Sequence, residues 1–436
     1  MLSRLAGSSP PRRRALISRV LKPSLPAPAA GLLEAALLVI GLVAMLGLFF
    51  ATRHALGTGD VTLYHRYAAA LWSGAPLDKL LPGEYPALAL AVMSLTLLPR
   101  TGDPTAVFAL WMTAAAAIGY LMMRHFAGRT AALAYAIYLL VGAAITVLAR
   151  FDIVPALLVL GALFAARRRR FAVAYALLAA GFLVKGFPIA LVPLIVLQQR
   201  RRELMAGRPW LPSVARAAGP AMAFTAAVMI AVALTGWTHV FWPLGYQSHR
   251  PIQVESAAGS ALWLFSFLGF PALSAQGYSS ADLVGPLSAP VSLAFGAAGV
   301  AGLLWTYSLF ERGRLELGRS FILVVLVVML ASKVLSPQYL IWVLPLVAAV
   351  EGVDAVWLGI AALTTVIYPL MYLEFGLIGW LTPPPYPGLF LLTILVRNLL
   401  LGVALVRVLR PGFVFARLGQ DRQMPELLTV RRRLLD

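Results

Sequence analysis

Residues able to do chemistry are scarce in this chain, and they stand where apolar segments end. Asp60 follows Gly57 and Gly59 closely and opens a short amphipathic stretch with Tyr64, Tyr67 and Trp72. An aspartate there is either a plain helix N-cap or a carboxylate held at a membrane surface, where desolvation raises its pKa towards that of a general base. The run GEYPAL puts Glu84 and Tyr85 ahead of a proline-started helix, with Glu84 either a loop charge or part of a pocket. In ARFDIVPAL, Arg150 and Asp152 either neutralise each other at an interface or shape a sugar or phosphate pocket.

Three further clusters follow. Lys185 lies between two short apolar helices at a Gly186–Pro188 turn, where an ionisable group is costly unless it is paired or solvated. It either snorkels or meets a phosphate or carboxylate. The run HRPIQVES sets His249, Arg250, Gln253 and Glu255 within a few positions, offering a proton shuttle, a guanidinium and a carboxylate. In SKVLSPQYL, Lys333 closes one apolar segment, and Pro337, Gln338 and Tyr339 open the next. Lysine otherwise occurs only at Lys22 and Lys79, so two lysines at such junctions suggest phosphate oxygens as their partners. Arg397 sits inside the last apolar segment, where it either pairs with Glu374 or faces a cavity.

The elements that must position these groups are apolar helices. The chain has 436 residues, 61% hydrophobic and only 12% charged, which places it among polytopic membrane proteins. A net charge of +19 could suggest nucleic acid, but the arginines come in short runs between apolar segments. That pattern marks cytoplasmic loops, with anionic lipid head groups as partners and no nucleic acid. With no cysteine there is no disulfide, thiolate metal site or cysteine nucleophile. No Walker loop, zinc-ligand spacing or Gly-x-Ser-x-Gly elbow occurs.

Spans are expected at 31–52, 104–123, 130–149, 152–166, 171–184, 187–198, 217–236, 287–309, 319–335, 338–350, 353–373 and 388–409, about twelve in all. Two further apolar helices, 85–99 and 259–271, are expected to lie on or dip into the outer leaflet. With the N-terminus inside, Arg124/Arg129, Arg167–Arg170, Arg200–Arg202, Arg312–Arg319 and the C-terminal tail all fall inside. The expected organisation is a basic, Pro-rich cytoplasmic tail (1–30), a transmembrane domain (31–410) and a second basic cytoplasmic tail (411–436). The setting is a bacterial plasma membrane, with both termini cytoplasmic and the polar clusters extracytoplasmic. Short helices beginning beside Pro155, Pro188 and Pro337 point to backbone that lines a cavity rather than lipid.

In their order and sidedness, Asp60, GEYPAL, RFDIVPAL, FLVKGFP, RPIQVES and SPQYLIWVLPL resemble glycosyltransferase family 87, from Leu32 to about Arg410. Where the family more often carries an acidic or Gln-Asn motif, this chain reads RFD. The resemblance implies an all-α GT-C fold and inverting transfer of a hexose, mannose by family habit. The donor is a polyprenyl phosphate and the acceptor a glycolipid or glycan hydroxyl. It also implies Asp60 as base. On that reading His249 hydrogen-bonds the departing phosphate, and Arg250, Lys333 and Lys185 stabilise it. Glu255, Gln253 and Gln338 hold donor, and Glu84, Tyr85, Arg150 and Asp152 line the pocket. A monoester phosphate held by lysine and arginine calls for no metal, and no cofactor is expected. The competing class is a transporter or flippase of lipid-linked sugars, which predicts charges along a path through both leaflets.

Overall fold

The computed structural model describes residues 27–56, 59–76, 81–99, 102–278, 280–376 and 385–410. The expected C-terminal tail, and the N-terminal tail up to residue 26, lie outside the described residues. By internal contacts the chain divides into Met1–Met45 and Leu46–Asp436. In the first unit the described element is the leading part of the Ala27–Leu56 helix. All that follows concerns the second unit.

Each expected apolar segment is helical. Among the described residues five helices are long and apolar enough to cross a membrane: Pro104–Phe126, Trp210–Thr235, Ser288–Glu311, Ala355–Glu374 and Gly388–Leu409. Shorter apolar helices include Ile153–Arg167, Phe171–Val184, Leu317–Ala331 and Pro337–Val350. On Trp210–Thr235 the side chains of Met222, Ile230 and Leu234 are 68%, 60% and 83% exposed, and on Ser288–Glu311 Leu293 is 76% exposed. Helices that present such faces outward have hydrocarbon as their solvent, because water would drive them to aggregate. The molecule reads as a helical membrane protein.

Local rules explain the breaks. Asp103 caps Pro104–Phe126 by accepting the Thr105 N–H at 3.0 Å, with proline in the first turn where no donor is needed. Of the three proline-led segments, Ile153–Arg167 is one unbroken helix and the other two open on 3-10 turns. Phe187–Leu191 is a 3-10 turn before Val192–Met205, and Pro337–Tyr339 is one before Leu340–Val350. The expected 130–149 span is two pieces, Arg129–Gly142 and Thr146–Ala149. Helices approach closely over small residues: a Cβ on Gly142 would lie 2.7 Å from that of Ala361. The basic helix ends tie to one another, with Arg200 on Glu311 and Arg407 gripping Asp354 at 3.0 and 2.6 Å.

One element corrects the all-helical expectation. Residues 252–284 include a three-stranded antiparallel sheet of β1 (Ile252–Gln253), β2 (Leu273–Gly277) and β3 (Ser280–Val284), in the order β1-β3-β2. The expected 259–271 helix is Ala257–Ser266, ending short of the strands. The other surface helix, 85–99, is reduced to Ala89–Met93 and a 3-10 turn, Ser94–Leu97.

Candidate functional site

The helix ends opposite the basic clusters converge on a cavity of about 960 Å³. Asp60, Glu84, Tyr85, Arg150, Lys185, Arg250, Gln253, Glu255, Lys333 and Gln338 all line it. They come from six separate junctions in the chain. Their convergence therefore depends on the whole helix arrangement rather than on any one motif.

The charges pair in an order their spacing does not suggest. Arg150 does not pair with Asp152; it makes an ion pair with Asp60, in the first turn of the Gly59–Trp72 helix. A carboxylate in that position is favoured by the helix dipole. Asp152, 1% exposed, instead accepts from Lys185 Nζ and from Trp342 Nε1, each at 2.6 Å on the same oxygen. It does not reach the cavity surface. Phe151, Trp342, Tyr339 and Tyr85 surround the Lys185 ammonium, their ring centres 5.3 to 5.7 Å away. Trp342 is itself stacked between Phe187 at 4.2 Å and Tyr339 at 3.9 Å. Burial pulls the Lys185 pKa down, and the Asp152 carboxylate opposes it. Lys185 thus meets a carboxylate, one of the two partners expected of it, while still lining the cavity.

Arg250 and Lys333 differ. Neither has a carboxylate at ion-pair distance among the described residues. Lys333 donates to the Ser248 carbonyl at 2.7 Å, and burial together with the neighbouring Arg250 charge lowers its pKa. Arg250 lies over the Tyr246 ring at 5.6 Å, and its buried Nε has no hydrogen-bond partner. Two adjacent cations without an ion-pair partner among the described residues, with Arg250 in electrostatic reach of Asp282, line one cavity and offer a site for an anion.

Gln253 proves to be a latch. Its backbone N–H donates to the Lys333 carbonyl at 2.9 Å, and its side-chain oxygen accepts the Leu335 N–H at 2.9 Å. It fixes the segment that carries Lys333 and Gln338. Glu84 accepts from the Tyr67 hydroxyl at 3.1 Å. His249 is misplaced in the sequence reading: it is exposed, it does not line the cavity, and its Nδ1 lies 2.7 Å from the Gly245 carbonyl of its own helix.

Glu255 sits at a tight corner. Ser256 caps Ala257–Ser266 through the Gly259 N–H at 2.9 Å, and a Cβ on Gly259 would lie 2.6 Å from the Gln253 carbonyl oxygen. Only glycine fits there. Burial pushes the Glu255 carboxyl up to about 7, against the opposing pulls of the Arg397 guanidinium and the Tyr372 hydrogen bond. Arg397 therefore faces this carboxylate at 3.8 Å rather than Glu374.

Sequence reasoning missed the aromatic wall, in which Tyr246, Tyr278, Tyr368, Tyr372, Tyr386 and Trp342 all line the cavity. The available signal was tyrosine recurring at helix junctions, which interfacial preference explains equally well. No family model, curated protein or solved structure matches the chain.

Proposed function

We propose that the chain is a membrane glycosyltransferase of the GT-C type, with about twelve crossings and its cavity on the extracytoplasmic face. It would move a hexose from a polyprenyl phosphate to an acceptor hydroxyl. The observation that carries the reading is the division of charge in the cavity. Arg150 and Lys185 are matched by Asp60 and Asp152, while Arg250 and Lys333 are left for an anion. A sugar phosphate has the complementary character, and the Asp60 carboxylate lines the same space.

In the proposed step the acceptor oxygen attacks the anomeric carbon as Asp60 takes its proton. The carbon–oxygen bond to phosphate breaks, and its electron pair leaves with polyprenyl phosphate. Arg250 and Lys333 then face the charge that develops on the leaving group. A preorganised donor to such a charge is worth about 3 kcal/mol of barrier. The resemblance to glycosyltransferase family 87 supports the same chemistry.

The test uses purified full-length protein in liposomes, with polyprenyl-phosphate mannose labelled in the sugar and a panel of neutral and acidic saccharides as acceptors. Label appearing in a saccharide, with release of polyprenyl phosphate, is expected. Movement of the intact donor between leaflets without transfer would replace this reading with a flippase.

A further inference from the structure

Glu255 is 1% exposed yet lines the cavity. Its Oε1 accepts the Tyr372 hydroxyl at 2.9 Å. Its Oε2 has no hydrogen-bond partner and lies 3.8 Å from Arg397 Nη1. Arg397 Nη2 and Asn398 Nδ2 hold its backbone carbonyl at 2.5 and 3.1 Å, which fixes the main chain at this corner. A buried acceptor oxygen left without a donor is costly, and Glu255 is at the same time one of the residues that line the cavity.

The surrounding wall is aromatic. Within Val366–Met371 the backbone leaves helical geometry at Tyr368, with φ −132° and ψ 121°, at a residue that lines the cavity. Such interruptions of a helix recur where a side chain is delivered to a site. Tyr368 and Tyr372 meet edge to face at 5.3 Å, and the Tyr386 hydroxyl is pinned to the Ala275 carbonyl at 2.8 Å. These rings offer apolar faces beside one open hydrogen-bond acceptor.

We propose that Glu255, Tyr368, Tyr372 and Tyr386 form a subsite for a neutral saccharide, the acceptor, whose hydroxyl donates to the open oxygen of Glu255. This rests on the transferase reading and names the acceptor class that it leaves open. The side of the cavity follows from the chemistry. Inverting displacement sets the attacking hydroxyl opposite the leaving phosphate, away from Arg250 and Lys333. Asp60 pairs with Arg150, and Tyr368 is within electrostatic reach of both Arg150 and Glu255, so this wall adjoins the base. A carboxylate there repels an acidic sugar and accepts from a neutral one.

The experiment measures binding and transfer separately with the full-length protein at pH 8. Ligand-observed NMR without donor compares mannobiose with a glucuronate-terminated disaccharide of the same size. Transfer from polyprenyl-phosphate mannose is then followed to each. Wild type is expected to favour mannobiose at least tenfold in both readouts. Glu255→Gln should weaken mannobiose at least tenfold and narrow the preference over the glucuronide, a change that mere loss of structure would not give. Tyr368→Ala, which leaves the Arg397 contact in place, should raise the mannobiose KM at least fivefold with little change in donor KM. Unchanged mannobiose binding in both variants, with transfer intact in wild type, overturns the subsite alone. Failure of wild type to transfer to any acceptor, with mannobiose still bound, overturns the transferase reading and the acceptor role with it.

Discussion

Arg150 pairs with Asp60, a carboxylate far upstream, although Asp152 lies only two positions along its own chain. The pair joins the first turn of Gly59–Trp72 to the corner before Ile153–Arg167, and both of its residues line the cavity. In the proposed transfer Asp60 would act as the base, and such proton transfer is typically worth about 10²–10⁴-fold in rate. Asp60→Asn is expected to lower single-turnover transfer by that amount while polyprenyl phosphate still binds. Near-normal turnover in the folded variant would remove Asp60 from the reaction.

Arg250 and Lys333 are expected to act on the donor. Arg250→Gln and Lys333→Met should each lower turnover by about 10²–10³-fold, the usual cost of losing one donor to a developing anion. Inhibition by added polyprenyl phosphate should weaken in parallel, as inhibition constants would show. A variant that loses turnover yet keeps the inhibition constant would place that cation outside the phosphate site.

The helices were legible because each apolar segment is bounded by prolines, glycines or arginine runs, and Phe171–Val184 matches its expected limits to the residue. The sheet was not. β1 is two residues long, and the alternation in Leu273–Gly277 and Ser280–Val284 lasts only four residues each, carried by Ser, Ala, Gln and Asp rather than by β-branched or aromatic residues. The cavity residues were legible as types at junctions, but their pairing was not. Local adjacency suggested Arg150 with Asp152, whereas packing brings Lys185 and Trp342 to that carboxylate. His249 shows the reverse error: proximity to Arg250 in sequence put it in a site that Gln247, Ser248 and Arg250 line but its own exposed side chain does not.

Glu255 gives a pH dependence whose sign is fixed by its burial. Arg397, Tyr372 and Tyr368 are the groups that face it, and burial outweighs them to hold the carboxyl at about 7 against an ordinary 4.5. The folded state therefore retains a proton that the unfolded chain gives up. Stability from Glu255 is fully present below pH 4.5 and is lost as the pH rises through about 7. Discrimination against the glucuronide should accordingly be strong at pH 8 and fade below about 7. The ratio of the two disaccharides' KM values across pH 5.5–8.5 checks this, with Glu255→Gln expected to be flat.

Lys185 and Asp152 supply the contrast that separates a structural cation from a phosphate ligand. Asp152 is 1% exposed, and its Oδ2 already lacks a partner. Removing Lys185 leaves that carboxylate buried without its counter-charge, a change that typically costs about 3–5 kcal/mol. Lys185→Met is expected to lower the midpoint of thermal unfolding in detergent by several degrees. Lys185→Met with Asp152→Asn should recover much of the loss, because the second change removes the stranded charge. Activity per folded molecule should then fall far less in the double variant than in Arg250→Gln. If instead Lys185→Met melts like wild type while transfer collapses, Lys185 reaches the donor, and its match with Asp152 is not what holds it in place.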